Sequence, residues 1–258
     1  MIALTSAQLE AWLSQLFWPF VRISSCLMVA PGFAANFVPA RMRLILAGAI
    51  ALIVAPLVPP PTGITTFSVA GFIVTIHQII IGVALGFVIQ ILFDAVSMGG
   101  QLLANSMGLS FAFNVDPMRG TSTAALGTLY GLLVMLTFFA LNGHLMLIDA
   151  LVDGFKTLPV GMTGLGTDGF WTIVYWGSQM FSGALMVALP GIAALLVVNL
   201  AFGVMSRAAP SLNLFAVGFP VALVFGLVIV LFTLPTVQTS FVSLLSESMA
   251  LLRSLSGG

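Results

Sequence analysis

Long apolar stretches separated by short proline- or glycine-rich segments dominate the hydrophobic pattern of this 258-residue chain. A membrane-spanning helix needs about 20 largely apolar residues. Five regions meet that requirement, and a sixth, 170–205, is long enough for one tilted span or for two shorter pieces broken at Pro190. We therefore predict an all-α, polytopic membrane-type bundle of about six apolar helices arranged in hairpins. The five regions are 13–33, 44–58 with its flanks, 67–93, 124–148 and 214–234.

Prolines mark the expected ends of these helices, because the residue before a proline disfavours the helical conformation. Short loops follow from this spacing, with no linker or soluble domain, so we predict one domain over 1–258. The proline-containing segments are VPA at 38–40, LVPPPTG at 57–63, VDP at 115–117, LPVG at 158–161 and AAP at 208–210.

Composition narrows the class of protein. The chain is 60% hydrophobic and 5% charged, with a mean hydropathy of +1.20, whereas soluble domains carry about 25% charged residues. Seven Lys and Arg balance seven Asp and Glu, and no basic run exists that could follow a phosphate backbone. The sequence thus predicts an integral membrane protein without a nucleic-acid partner. The first charge is Glu10, so no positively charged signal region precedes the first apolar run, and we expect the N-terminus to be retained.

Arg22 stands inside the first apolar region, where a cation is rare. One interpretation is a buried arginine that caps carbonyls or pairs with a carboxylate, and the other is a direct role in proton or ion movement. Cys26, one turn on, offers no counter-charge, so the partner must lie elsewhere. Cys26 is also the chain's single cysteine and excludes a thiolate metal cluster.

Gly82 and Gly86 have the small-xxx-small spacing that lets a neighbouring helix approach closely. His77, Gln78 and Gln90 lie in the same apolar region. They fit polar contacts between helices better than a proton relay, because no acidic residue shares the histidine's face before residue 94.

His144 precedes Asp149 and Asp153, a combination that could suggest a metal or acid–base site. The spacing is not that of ligands, and a solvated helix end explains the three residues more simply. The chain also has no HExxH or GxSxG motif and no phosphate-binding loop. We therefore predict no enzymatic activity, no cofactor and no metal site.

The segment 97–123, SMGGQLLANSMGLSFAFNVDPMRGTST, combines Gly, Asn, Ser and Pro with one Asp and one Arg. We predict a shaped loop at a passage or contact surface. Methionine adapts to irregular and changing surroundings, so Met98, Met107 and Met118, together with Phe111 and Phe113, suit a deformable closure. Methionine is equally common in the cores of membrane proteins, which is the simpler interpretation.

With these motifs in place, the chain resembles the FliR flagellar export-gate proteins and their counterparts in virulence-type type III secretion systems, and the motifs are closer to the flagellar branch. The resemblance is carried, in order, by VRISSCLMVAPGF at 21–33, FVPARMRLILAGAIALIVAP at 37–56, GVALGFVIQILFDAV at 82–96, GQLLANSMGLSFAFNVDP at 100–117, ALNGHLMLIDAL at 140–151 and VNLAFGVMSRAAPSLNLFAVGFP at 198–220.

The resemblance implies a FliP-like part, 1–190, followed by a FliQ-like hairpin, 191–258, with its turn near 209–213. It implies one copy of this chain in a hetero-oligomeric gate with FliP and FliQ, in the bacterial inner membrane at the flagellar basal body. Further implied partners are an FlhB-type switch protein, the basal-body ring and exported unfolded proteins. Conduction and gating would be its function, with the driving energy supplied by other components.

The resemblance also implies a plug for the closed pore, carried by the loop after the GLSF motif. Apolar rings can dewet a constriction and so block ions. The implied plug residues are Met107, Gly108, Phe111, Phe113, Val115, Asp116 and Pro117. We expect a second set to pack against other subunits: Arg22, Arg41, Gly82, Gly86, Arg207, Asn213 and Pro220.

A secondary transporter of a small solute is the alternative. Such proteins have broken helices with convergent polar groups, often in two related halves. The polar residues inside the apolar regions, Arg22, His77, Gln90 and Asn199, do not repeat at matching positions.

Overall fold

The computed structural model describes residues 6–34, 38–59, 64–109, 125–208 and 214–257. In these ranges all regular secondary structure is helical, as the apolar pattern predicts. The helices are α1 Ser6–Val29, α2 Ala40–Val54, α3 Val69–Ser106, α4 Ala125–Ala140, α5 Gly143–Thr157, α6 Thr167–Trp176, α7 Ser178–Ala208 and α8 Leu214–Gly257, with a 3₁₀ turn at Ala55–Leu57 after α2.

Several helix ends lie where prolines predict them. Pro39 immediately precedes α2, and α5 ends at Thr157, two residues before Pro159. Inside the longer helices, however, prolines do not interrupt the element. Pro190 lies within α7, and Pro220 and Pro235 lie within α8. The predicted alternative of a break at Pro190 is therefore wrong, and α6 and α7 are separated only by Gly177, whose backbone is itself helical.

Helix α3 corrects the predicted loop at 97–123, because it continues for 38 residues through Ser106. Gly99 and Gly100 serve close packing there rather than a turn. A Cβ at Gly99 would lie 3.0 Å from the carbonyl oxygen of Ala184, and one at Gly100 would lie 3.0 Å from the Cα of Gly127. Helices α7 and α4 thus approach α3 at positions where it has no side chain.

The apolar region 124–148, predicted as one span, is broken. Helices α4 and α5 are bent by 65°, and Asn142 between them has the left-handed backbone angles φ 56° and ψ 28°, which asparagine tolerates better than most residues. Gly143 follows with no room for a side chain, since a Cβ would lie 3.0 Å from Phe138 Cγ and closer still to Cδ2 and Cε2 of the same ring. The bend is therefore fixed by local packing.

Among the described residues, four helical segments are long and apolar enough to cross a membrane, and the bent α4–α5 pair would be a fifth if it forms one span. The membrane-type helical class is thus confirmed, while the number six stays a prediction. The four segments are Ala40–Leu57, Val69–Ser106, Thr167–Met205 and Pro220–Leu255.

The chain forms two compact units. The first comprises Met1–Ile91, Phe138–Gly177 and Leu245–Gly258, and the second Leu92–Thr137 and Ser178–Leu244. In the first unit, Trp18 and Ile23 of α1 pack with Val74 of α3 and Phe155 of α5, and Trp18 Nε1–H donates to Thr75 Oγ1 at 3.2 Å. In the second unit, α3 packs against α4, α7 and α8, with the rings of Phe93 and Phe241 in edge contact at 5.6 Å. The predicted division at residue 190 stays a prediction.

Candidate functional site

The structure describes the beginning of the predicted plug. Met107 and Gly108 lie within the described ranges, whereas Phe111, Phe113, Val115, Asp116 and Pro117 lie outside them, as does Asn213. The plug assignment therefore stays a prediction. The structure describes the end of α3, directly before that segment.

Gly108 ends helix α3 with a left-handed backbone, φ 78°. Its N–H donates to the carbonyl of Asn105 at 3.0 Å, and the N–H of Leu109 donates back to the carbonyl of Ala104 at 3.1 Å. This pair of hydrogen bonds is the Schellman arrangement, in which a glycine in the left-handed region satisfies the last free carbonyls of a helix. The direction in which the chain leaves α3 is thus set by Gly108.

Met107 is buried, with 1% of its surface exposed. Its side chain lies against Gly226 of α8, where a Cβ would be 2.9 Å from Met107 Sδ. Both residues belong to the second unit. In this conformation Met107 is therefore part of the packing inside its own chain.

Arg22 lies in the interior of the first unit and is fully buried. Its Nε donates to Gln78 Oε1 at 2.7 Å, its Nη1 to the carbonyl of Gly154 at 2.9 Å and its Nη2 to that of Leu158 at 2.7 Å. Its guanidinium carbon is 4.1 Å from the centroid of the Phe155 ring. The interpretation of Arg22 as a buried arginine that caps carbonyls is confirmed.

The two carbonyls explain how a cation is stabilised here. Gly154 is in the last turn of α5 and Leu158 directly follows that helix, so both belong to the end that carries the negative pole of the helix dipole. The fork of the guanidinium group reaches two carbonyls and an amide at once. Arg22 thereby joins α1, α3 and the end of α5.

Gly82 and Gly86 are also in close contact with a neighbouring helix of the first unit. A Cβ at Gly82 would lie 2.9 Å from Ser25 Cβ, and one at Gly86 would lie 2.7 Å from the carbonyl oxygen of Cys26. The close approach predicted from their spacing is confirmed, and the neighbouring helix is α1 of the same chain. Their predicted contact with other subunits is not tested by this.

The remaining residues predicted to pack against other subunits, Arg41, Arg207 and Pro220, are exposed in the chain. Arg41 is in the first turn of α2 and Arg207 in the last turn of α7. Their positions leave them accessible to another subunit, and that role stays a prediction.

Gln78, interpreted from the sequence as a polar contact between helices, is the direct partner of Arg22, so that interpretation is confirmed. One neighbour of the predicted residues was missed from sequence: Gly226, which receives Met107. The isolated amide in an apolar region was the available signal for Gln78, whereas nothing in the sequence distinguishes Gly226 from other glycines of α8. Among the described residues, no three His, Cys, Asp or Glu side chains are grouped closely enough to hold a metal ion.

Comparison with known proteins gives consistent matches over nearly the whole chain. The family model for bacterial export proteins, family 1, matches residues 13–248. The flagellar biosynthetic protein FliR of Escherichia coli K12 is 38% identical over 252 residues, covering 98% of this chain and 96% of that protein. The FliR of Pectobacterium carotovorum subsp. carotovorum has the same identity and coverage. The FliR of Aquifex aeolicus is 31% identical over 234 residues, which is 88% of each chain.

Proposed function

Since this chain belongs to family 1 of the bacterial export proteins, we propose that it is a structural and gating subunit of the flagellar type III protein export gate. With FliP and FliQ it would form the pore through which unfolded flagellar substrates leave the cell. The observation that carries the proposal is the similarity to the flagellar biosynthetic protein FliR over 98% of the chain. A multi-pass membrane protein of flagellar biosynthesis is the coarser statement, and the family and the apolar helices support it directly.

The uneven burial of the helices supports a multi-subunit assembly. In the most apolar 18-residue stretch of α3, 67% of the residues are buried within the chain, whereas in that of α8 only 17% are buried. Phe232 of α8 is 80% exposed. Apolar faces of this size require lipid or protein to cover them. In the proposed gate, FliP and FliQ subunits cover part of these faces around one copy of this chain.

The proposed setting is the inner membrane at the centre of the basal body. An FlhB-type switch protein and the basal-body ring are the proposed neighbours, and unfolded export substrates are the cargo. No catalytic step is proposed for this chain, because the energy for export would come from other components.

Co-purification tests the assembly. A tagged copy of this chain, expressed together with FliP and FliQ, is expected to purify in one large complex that contains a single copy of the tagged chain, measured by native mass spectrometry. Expression without FliP and FliQ is the control and is expected to give little stable protein. Purification alone, or as a small homo-oligomer, would contradict the proposal and favour the secondary transporter.

The proposed plug is tested by removing the aromatic rings of Phe111 and Phe113. We propose, from the family resemblance, that Phe111 and Phe113 close the resting pore by dewetting it. The double variant F111A/F113A is expected to assemble normally and to let ions leak across the membrane, measured as conductance of the gate reconstituted in a planar bilayer. The matched control is F72A, at an exposed position of α3, which is expected not to leak. A tight membrane with normally assembled F111A/F113A would exclude the plug.

A further inference from the structure

The exposed side chains of α3 change in character along the helix. In residues 69–91, which belong to the first unit, every exposed side chain is apolar. In residues 92–106, which belong to the second unit, the two exposed side chains are Asp94 and Asn105. One helix thus presents apolar groups outward in its first part and polar groups in its second. The exposed side chains of the first part are Val69, Phe72, Ile76, Ile79, Val83 and Phe87.

The polar residues of the second part include a set that lies along one side of the helix. Their spacing of three or four residues is the repeat that places side chains above one another on a helix. Every buried position in 92–106 is apolar or glycine, so the polar side is separated from the packed side. The set extends over roughly 17 Å at a rise of 1.5 Å per residue. It consists of Asp94, Ser97, Gln101 and Asn105, and we call it the polar face.

Helix α4 covers one edge of the polar face. The Oγ–H of Ser97 donates to the carbonyl of Gly127 at 3.3 Å. A Cβ at Gly127 would lie 2.7 Å from Gln101 Cγ and 3.4 Å from Gln101 Nε2. Ser97 and Gln101 are accordingly half-buried, while Asp94 and Asn105 remain exposed. The polar face is therefore part of the packed structure of the second unit.

Asp94 is the only Asp, Glu, Lys or Arg residue of α3. A carboxylate within an apolar helix usually faces a bundle interior or a water-filled space, because its transfer into lipid is costly. Lipid over the polar face would also deprive exposed polar groups of water. A single polar contact from a neighbouring helix would satisfy one position of a face that extends over roughly 17 Å, whereas water can hydrogen-bond along all of it.

We propose that the polar face lines a water-filled passage in the assembled gate and that Asp94 makes this passage locally favourable for cations. The exposed apolar side chains of 69–91 then face lipid or other subunits. The inference rests on the proposed function and adds to it which side of which helix borders the passage. A fixed carboxylate beside such a passage attracts cations and repels anions.

Cysteine accessibility tests the position of the polar face. Gates purified with FliP and FliQ are placed in lipid nanodiscs, which leave both membrane faces open, and are treated with a cationic, water-soluble methanethiosulfonate reagent. D94C, Q101C and N105C are expected to react roughly tenfold or more faster than the control variants, because a thiol that is kept from water forms little reactive thiolate.

Two valines of α3 supply the matched controls. Val83 is 39% exposed on the apolar part and Val96 is 0% exposed, so V83C reports an exposed apolar position and V96C a buried one. The native Cys26 is fully buried, and the parental gate measures its background. S97C exchanges only an oxygen for a sulfur and replaces any polar-face variant that does not assemble.

The charge of Asp94 is tested separately. In Q101C, the reaction rate with the cationic reagent is divided by the rate with an anionic methanethiosulfonate of similar size. Asp94 and Gln101 are seven residues apart on the helix. The change D94N in Q101C is expected to lower this ratio roughly fourfold, the effect in water of one fixed charge about 10 Å from two opposite charges. An unchanged ratio would overturn the role of Asp94.

The remaining outcomes separate the inference from the proposed function. If the gate assembles but the polar-face cysteines react as slowly as V96C, lipid or another subunit covers the polar face and the inference alone fails. If V83C reacts as fast as D94C, water reaches the whole exposed side of α3 and the distinction between its two parts is wrong. If no complex with FliP and FliQ forms, the proposed function fails before any labelling and the inference falls with it.

Discussion

Replacing Arg22 with alanine is expected to destabilise the chain by about 3 kcal/mol or more, because it removes three hydrogen bonds from a charged donor and leaves buried acceptors unsatisfied at about 1–3 kcal/mol each. The substitution leaves Gln78 Oε1 and the carbonyl of Leu158 without the Arg22 donor, while the carbonyl of Gly154 keeps the N–H of Leu158. These acceptors are buried or partly buried, so water cannot simply replace the lost bonds. The measurement is the thermal midpoint of the detergent-purified gate, together with the amount of this chain in the membrane.

Two further variants show whether the planar geometry of the Arg22 guanidinium group matters, or only its charge. R41A removes an exposed arginine of α2 and is expected to leave the thermal midpoint within error. R22K keeps the charge, yet an ammonium group cannot reproduce the planar fork that reaches three acceptors and the Phe155 ring, so an intermediate loss is expected. If R22A melts at the parental temperature, the network does not stabilise the first unit.

Replacing Gly82 with alanine is expected to separate α1 from α3. The new Cβ would lie 3.1 Å from the carbonyl carbon of Arg22 and 2.9 Å from Ser25 Cβ. Since backbone atoms of α1 cannot rotate out of the way, the helices must move apart, at a cost of about 1–3 kcal/mol for overpacking. The same movement would shift Arg22 away from its acceptors. A clear drop in the thermal midpoint of the detergent-purified gate that contains the variant is the expected result.

G131A is the matched control for this second prediction. A Cβ at Gly131 of α4 meets nothing within 4 Å, and alanine favours a helix over glycine by roughly 0.8–1.0 kcal/mol. It is therefore expected to be neutral or stabilising. Equal midpoints for G82A and G131A would show that the α1–α3 contact yields more easily than the packing indicates.

The two predictions concern coupled residues. The backbone carbonyl of Arg22 is the atom closest to a Cβ at Gly82, while the side chain of the same arginine holds the end of α5. Substitutions at both positions should not add, because either one already disturbs the shared contact. A double variant no less stable than R22A would support that coupling.

The apolar pattern was sufficient for the class of fold. Some 20 uninterrupted apolar residues are costly to place anywhere except in a membrane or a buried helix, so α2, α3 and α8 could be predicted as helices from composition alone. Pro39 and Pro159 also indicate real boundaries, because the restriction that proline places on the preceding residue is local. The spacing of Gly82 and Gly86 likewise predicts close packing of a helix, without saying which one.

The structural role of the other glycines could not be predicted from the sequence around them. Gly99 and Gly100 suggested a loop, yet they lie inside α3 because α7 and α4 approach there. Gly143 lies in an equally apolar setting, but the Phe138 ring occupies the space beside it and the helix bends. A glycine permits both a turn and a close contact, and only its neighbours in three dimensions decide between them.

The sequence by itself determined an all-α membrane protein of the export family, with an unusual buried arginine and a distinctive segment after α3. The tertiary structure alone decided that Arg22 is held by the end of α5, 132 residues further along the chain, and that Met107 is seated against Gly226. The physical reason is that hydropathy and spacing record what each residue is. Whether a buried charge finds hydrogen-bond partners, or the space beside a glycine is filled, depends on which distant residues lie next to it in the folded chain.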